Sequence, residues 1–141
     1  MERNPQYLIE DDPAEAKVAW AALNVRQVAF DQRAAVATRA GGQALERLLR
    51  LAETRTSGQI ERVAKFLGAT WNGSRHFDLY DLRAMDVEIS DDMLAVLDAL
   101  RWGKLSVEEL APDAGARIEA ILQGWGMWGP GQTGQYICAR D

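Results

Sequence analysis

DPAEAKVAWAALNVRQVAFDQRAAVATRA (residues 12–40), followed by Gly41-Gly42 and then QALERLLRLAE (residues 43–53), is the stretch on which the fold turns. Asp12 can cap free amide hydrogens, Pro13 fits a first helical turn, and Glu15 suits the positive end of the helix dipole. The residues beyond are rich in alanine, the strongest helix former, with Val18, Ala22, Val25, Ala29 and Val36 at roughly helical spacing. A helix is therefore predicted from Pro13 to about Arg39. Its small side chains suit close approach by another helix, of this chain or of a second copy. Gly41-Gly42 is expected to break it. A second helix is predicted from about Gln43 to Glu53, with Leu45, Leu48, Leu49 and Ala52 on its buried face and Glu46–Arg50 as an i,i+4 ion pair.

Downstream, helix signals continue. Thr56-Ser57-Gly58-Gln59 fits a capping box with Thr56 as cap. Ile60, Val63, Leu67 and Trp71 then form a core stripe, and Asn72-Gly73-Ser74 closes it as a turn. Phe77, Leu79, Leu82 and Met85 mix spacings of two and three; a short helix over Leu79–Met85 and a bend at Asp86 are predicted. Ser90 is expected to cap the next helix, with Met93, Val96, Leu97 and Leu100 buried and Trp102-Gly103 at its end. Ser106 to Glu109 is a second capping box, and Pro112 is expected to open a last helix carrying Ile118, Ile121, Leu122 and Trp125 inward. Only Gln135 to Cys138 hints at a strand. The fold class is all-α: a compact bundle of about five to six helices forming a single domain over 1–141. Residues 1–12 are expected to be an N-terminal arm, and residues 126–141 a loosely ordered Gly/Trp tail.

The 141 residues, 48% hydrophobic and 26% charged, suit a soluble globular domain. One cysteine cannot form an internal disulfide, and no apolar run approaches a signal peptide or a membrane span. A cytoplasmic location is expected. Net charge is −5, but from Pro13 to Arg75 ten bases face five acids, whereas from His76 onward five bases face twelve acids. Such asymmetry implies either separate partner surfaces or attraction between the halves within one fold.

Catalytic constellations are wanting. Gly129-Pro130-Gly131-Gln132-Thr133-Gly134 spells a dinucleotide fingerprint but leaves only seven residues for the helix that would follow. His76, the only histidine, lies near Asp78 and Asp81, yet the spacing matches no zinc, calcium or paired-carboxylate motif. Cys138, near the chain end, has no evident base. Ser57, Ser74, Ser90 and Ser106 are accounted for by turns and caps. No catalytic, cofactor-binding or metal-binding residue is assigned, and the chain reads as a non-enzyme without a cofactor.

Two charged faces are the interaction candidates. Arg47, Arg50, Arg55, Arg62 and Lys65 could meet phosphates, although Glu46, Glu53 and Glu61 are interleaved with them. Asp78, Asp81, Asp86 and Glu88 form an acidic counterpart able to engage a basic protein groove.

Leu45-Glu46-Arg47-Leu48-Leu49, Gly58-Gln59, Val63-Ala64 with Phe66-Leu67, Trp71-Asn72, Phe77-Asp78-Leu79 with Asp81-Leu82, and Asp91-Asp92-Met93-Leu94 carry a resemblance. Over roughly Ala44 to Leu97 the chain resembles a family of small uncharacterised proteins from proteobacterial phages and integrative mobile elements. The resemblance implies no activity and no site residues. By analogy with small acidic proteins of such elements, it implies a protein that binds a host partner. The expected function is therefore a non-enzymatic interaction protein of a mobile element, with antagonism of a host defence or regulatory complex as its specific form. The alternative is a nucleic-acid-binding accessory protein using the basic face. A protein partner, no membrane association and a homodimer through the Ala-rich first helix complete the expectation.

Overall fold

The computed structural model describes residues 12–127, and all regular structure among them is helical. The elements are α1 (Pro13–Thr54), α2 (Gly58–Trp71), a 3-10 helix (Leu79–Ala84), α3 (Val87–Trp102), α4 (Val107–Leu110) and α5 (Ala114–Gly124). The predicted all-α class is what the structure has. The expected arm over 1–12 (but for Asp12), the fingerprint-like glycines at 129–134, Cys138 and the strand hint at 135–138 lie outside the described residues, as does the expected loose tail beyond Met127. No helix among the described residues is long and apolar enough to cross a membrane.

Contacts divide the chain between Ala35 and Val36 into two units. In the first, Asp12 caps α1 as expected, its Oδ1 accepting from Ala14 N–H at 3.0 Å. Residues 13–33, the first half of the helix, are exposed on every face.

The second unit holds the apolar core. Leu45, Leu48 and Leu49 of α1, Ile60, Val63 and Leu67 of α2, Met93 and Val96 of α3, and Ile118 and Leu122 of α5 are fully buried. These are the stripes expected from helical periodicity. In α3, Leu97 is exposed instead, and Ile89 and Ala99 take its place inside. Phe66 and Phe77 meet edge to face, centroids 5.3 Å apart, an arrangement favoured by the ring quadrupoles. No polar or charged residue is buried among the described residues.

The largest correction concerns Gly41-Gly42. The expected break is absent, and one helix of 42 residues runs through both glycines. Their role is proximity. A Cβ on Gly41 would overlap that of Ala99 and stand 2.9 Å from the Ala95 carbonyl oxygen, while one on Gly42 would stand 2.9 Å from the Leu110 carbonyl oxygen. The glycines weaken helix propensity by about 1 kcal/mol each, a cost offset by the packing of α3 and α4 directly on the α1 backbone.

Capping brings further corrections. Ser57, not Thr56, precedes α2, and it makes no side-chain cap. Gln59 reaches across to Asp86 instead, its Nε2 donating to Asp86 Oδ2 at 3.3 Å while its Oε1 accepts from Asp86 N–H. That exchange fixes the bend before α3, which starts at Val87; Ser90 sits inside the helix, its hydroxyl donating to the Val87 carbonyl at 2.9 Å. The Ser106 capping box is present as expected. Pro112 does not open α5. Asp113 follows it in the left-handed region at φ 54° and displaces the start to Ala114, a conformation aspartate tolerates better than most residues. The 3-10 helix occupies the predicted short segment, and Gly103 at φ 65° ends α3.

Candidate functional site

The basic residues of α1 and α2 were expected to form one open surface, but four of the five stand beside carboxylates. Arg47 grips Asp92 with Nη2 2.8 Å and Nε 3.1 Å from the carboxylate oxygens. Arg50 reaches Glu46 at 3.1 Å, Arg62 reaches Asp81 at 3.5 Å and Lys65 reaches Glu61 at 3.9 Å. Arg55 makes no ion pair among the described residues. It lines a shallow cleft of about 410 Å³ with Ala52, Ile121 and Trp125. The hydrogen bonds that Arg47 donates to Asp92 raise the Arg47 pKa above its ordinary value.

The acidic residues are spread over separate tasks. Asp78 caps the 3-10 helix by accepting from Tyr80 N–H at 2.9 Å. Asp81 faces Arg62, and Asp86 is engaged with Gln59. Glu88 alone among the four is exposed with no ion pair among the described residues. Part of the charge asymmetry is therefore satisfied inside the fold, since Arg47–Asp92 and Arg62–Asp81 join the basic front to the acidic back. Asp92, in the second turn of α3, is the far half of a bidentate pair.

The densest charge cluster has a basic residue that sequence reasoning passed over. Arg117 of α5 donates from Nη1 to Glu46 at 2.6 Å, from Nη2 and Nε to Glu53 at 2.8 and 3.0 Å, and from Nη1 to the Pro112 carbonyl at 3.3 Å. Bidentate guanidinium–carboxylate geometry is the strong form of ion pair. The Arg117 hydrogen bond is the main cause holding Glu46 below its ordinary range, and the bond to Glu53 is the main cause raising Arg117. The cluster clamps α5 to α1, and all its donors face protein acceptors; it is built as a structural joint. No short-range pattern marks Arg117, because its partners lie 64 and 71 residues away.

His76 is exposed, and among the described residues no group of three or more His, Cys, Asp or Glu side chains could hold a metal ion. Trp71 Nε1 donates to Glu108 at 3.3 Å above Gly115, where a larger residue would displace both.

The remaining surface is the first part of α1. Trp20, Leu23 and Phe30 are 66%, 52% and 57% exposed, and Val18, Val25 and Val28 are exposed as well. The expectation followed only the Val18–Ala22–Val25–Ala29 stripe. Ala16, Trp20, Leu23 and Phe30 make a second apolar face, legible in their spacing and overlooked for want of a compositional contrast.

No curated protein and no solved structure matches the chain significantly. A family match does exist, and it runs beyond the resemblance over Ala44–Leu97 to take in α4 and α5. Matched from residue 42 to residue 126, more than half its length, the chain belongs to the family of unknown function DUF7673.

Proposed function

We propose that this is a non-enzymatic protein-binding protein whose contact surface is the exposed helical segment ahead of residue 36, rather than a charged face. The observation that supports this reading is the run of large apolar side chains, Val18, Trp20, Leu23, Val25 and Val28, each more than half exposed. Single exposed apolar residues are ordinary, but a helix apolar on two faces is normally covered. A solvent-bathed helix also gains no packing energy, the main source of helical stability in proteins. Carriage on a mobile element, a cytoplasmic location and antagonism of a host complex are the specific form of this reading, and they rest on the resemblance. The nucleic-acid alternative would require phosphates to displace carboxylates already beside Arg47, Arg50, Arg62 and Lys65.

The test is photo-crosslinking in cells, with a photoreactive phenylalanine analogue at position 23 and, as control, at position 105, an exposed leucine of the second unit. Adducts at 23 but not at 105 are expected. Absence of any adduct at 23 would sink the proposal.

A further inference from the structure

At the cleft beside Arg55, a cation with no carboxylate partner among the described residues stands over an apolar floor. The cleft forms because α1 ends at Thr54 and the chain turns through Arg55 and Thr56 before α2 starts at Gly58, across from the last turn of α5. Ala52 and Ile121 are buried in its floor, and Trp125 is half-buried and packs against the core. Gly124 keeps one end open, since a Cβ there would meet nothing within 4 Å. The volume of about 410 Å³ falls within the span of small-molecule sites, about 300–1,000 Å³.

The charge of the cleft has a definite sign. Glu53 also lines it, but both Glu53 carboxylate oxygens accept from Arg117, from Nη2 at 2.8 Å and from Nε at 3.0 Å. The charges of that joint, Glu46 and Glu53 against Arg50 and Arg117, cancel. Arg55 is left over. Its guanidinium makes no hydrogen bond or ion pair among the described residues, so its fork of N–H donors stays open. The Thr56 hydroxyl has no partner among them either.

A planar guanidinium and a hydroxyl donor suit a carboxylate, which the guanidinium holds through two parallel bonds. The floor suits the rest of such a ligand. Trp125, with Ile121 and Ala52, offers an aromatic ring a face or an edge to pack on. A dianion fits less well, because Arg55 is the single cation lining the cleft.

We infer that this cleft binds a small aromatic monocarboxylate, its carboxylate held by Arg55 and Thr56 and its ring laid on Trp125, Ile121 and Ala52. The site shares no residue with the exposed first part of α1 and stands or falls independently of it.

The test is an NMR titration of the full isotope-labelled chain with phenylpropionate, with its neutral amide, and with inorganic phosphate. The indole signal lost in Trp125→Phe identifies that residue. Phenylpropionate is expected to move the Trp125 indole signal and the Arg55 and Thr56 backbone signals saturably, with a dissociation constant on the order of 1 mM. The amide should bind at least about tenfold more weakly, as should the acid to Arg55→Gln, the scale of a charge-assisted hydrogen bond. Arg101→Gln removes a cation outside the cleft, one already beside Asp98, and should leave binding unchanged. Ala120→Trp, at an exposed position on the edge of the cleft, should fill the space and abolish binding, with helicity by circular dichroism as in the wild type. No saturable movement of Trp125, Arg55 and Thr56 by the acid overturns the inference. So does equal binding of acid and amide, or wild-type affinity in either Arg55→Gln or Ala120→Trp. Phosphate binding as tightly as the acid overturns the aromatic class of the ligand.

Discussion

Gly41 lies against Ala99 so closely that a Cβ on the glycine would occupy the space of the alanine's own Cβ. The adjacent glycine does the same toward α4, with the Leu110 carbonyl oxygen 2.9 Å from where its Cβ would stand. The double glycine is thus a place where other elements rest on a helix backbone, and the helix continues because that packing holds it.

Gly41→Ala should destabilise the fold although alanine is the better helix former. Overpacking against backbone costs about 1–3 kcal/mol, and the gain in propensity returns about 1 kcal/mol. The net loss expected is up to about 2 kcal/mol, read from the urea midpoint. Gly58→Ala is the control, because nothing lies within 4 Å of its added Cβ; its effect should stay within about 0.5 kcal/mol. Equal effects from the two would refute the close-contact account.

Arg117 joins α5 to α1 through Glu46 and Glu53. Arg117→Met should cost about 1–2 kcal/mol, the scale of hydrogen bonds to charged groups reduced by partial exposure. Coupling should be plain in a double-mutant cycle: Glu53→Gln should matter in the wild-type background and far less beside Arg117→Met. Additive losses would show that the cluster contributes nothing as a unit.

Acid should loosen the same joint. Glu46 is held below its ordinary 4.5, chiefly by the Arg117 hydrogen bond, while Arg117 is raised and stays charged throughout. A carboxylate with a lowered folded pKa stabilises in full above its ordinary value and loses that contribution as the pH falls through the folded one. Thermal unfolding should therefore show stability declining below pH 4.5, with a shallower decline in Arg117→Met. An unchanged acid profile in the variant would detach Glu46 from the effect.

Titration with labelled single- and double-stranded nucleic acid at two salt concentrations should give no anisotropy change. The cations Arg47, Arg50, Arg62 and Lys65 already stand beside carboxylates. Binding that weakens steeply with added salt would count phosphate contacts and restore the basic-face alternative, which Arg47→Glu with Arg62→Glu should then abolish.

The all-helical class, the short element at Leu79, the Asp12 and Ser106 caps, and the stripes of Leu45–Leu49, Ile60–Leu67 and Ile118–Leu122 were all determined by sequence alone. Each depends on residues within one or two turns, where propensity, periodicity and capping act. Only the tertiary structure decided that Gly41-Gly42 continues a helix, that Gln59 caps across to Asp86, and that Arg117, Arg47 and Arg62 find carboxylates far along the chain. It alone left Leu23 exposed while Leu45, Leu48 and Leu49 of the same helix were buried. The physical reason is common to all of these. A glycine, a charge or an apolar side chain has the same local preferences everywhere, and what it does is set by which distant surface stands within a few ångströms of it.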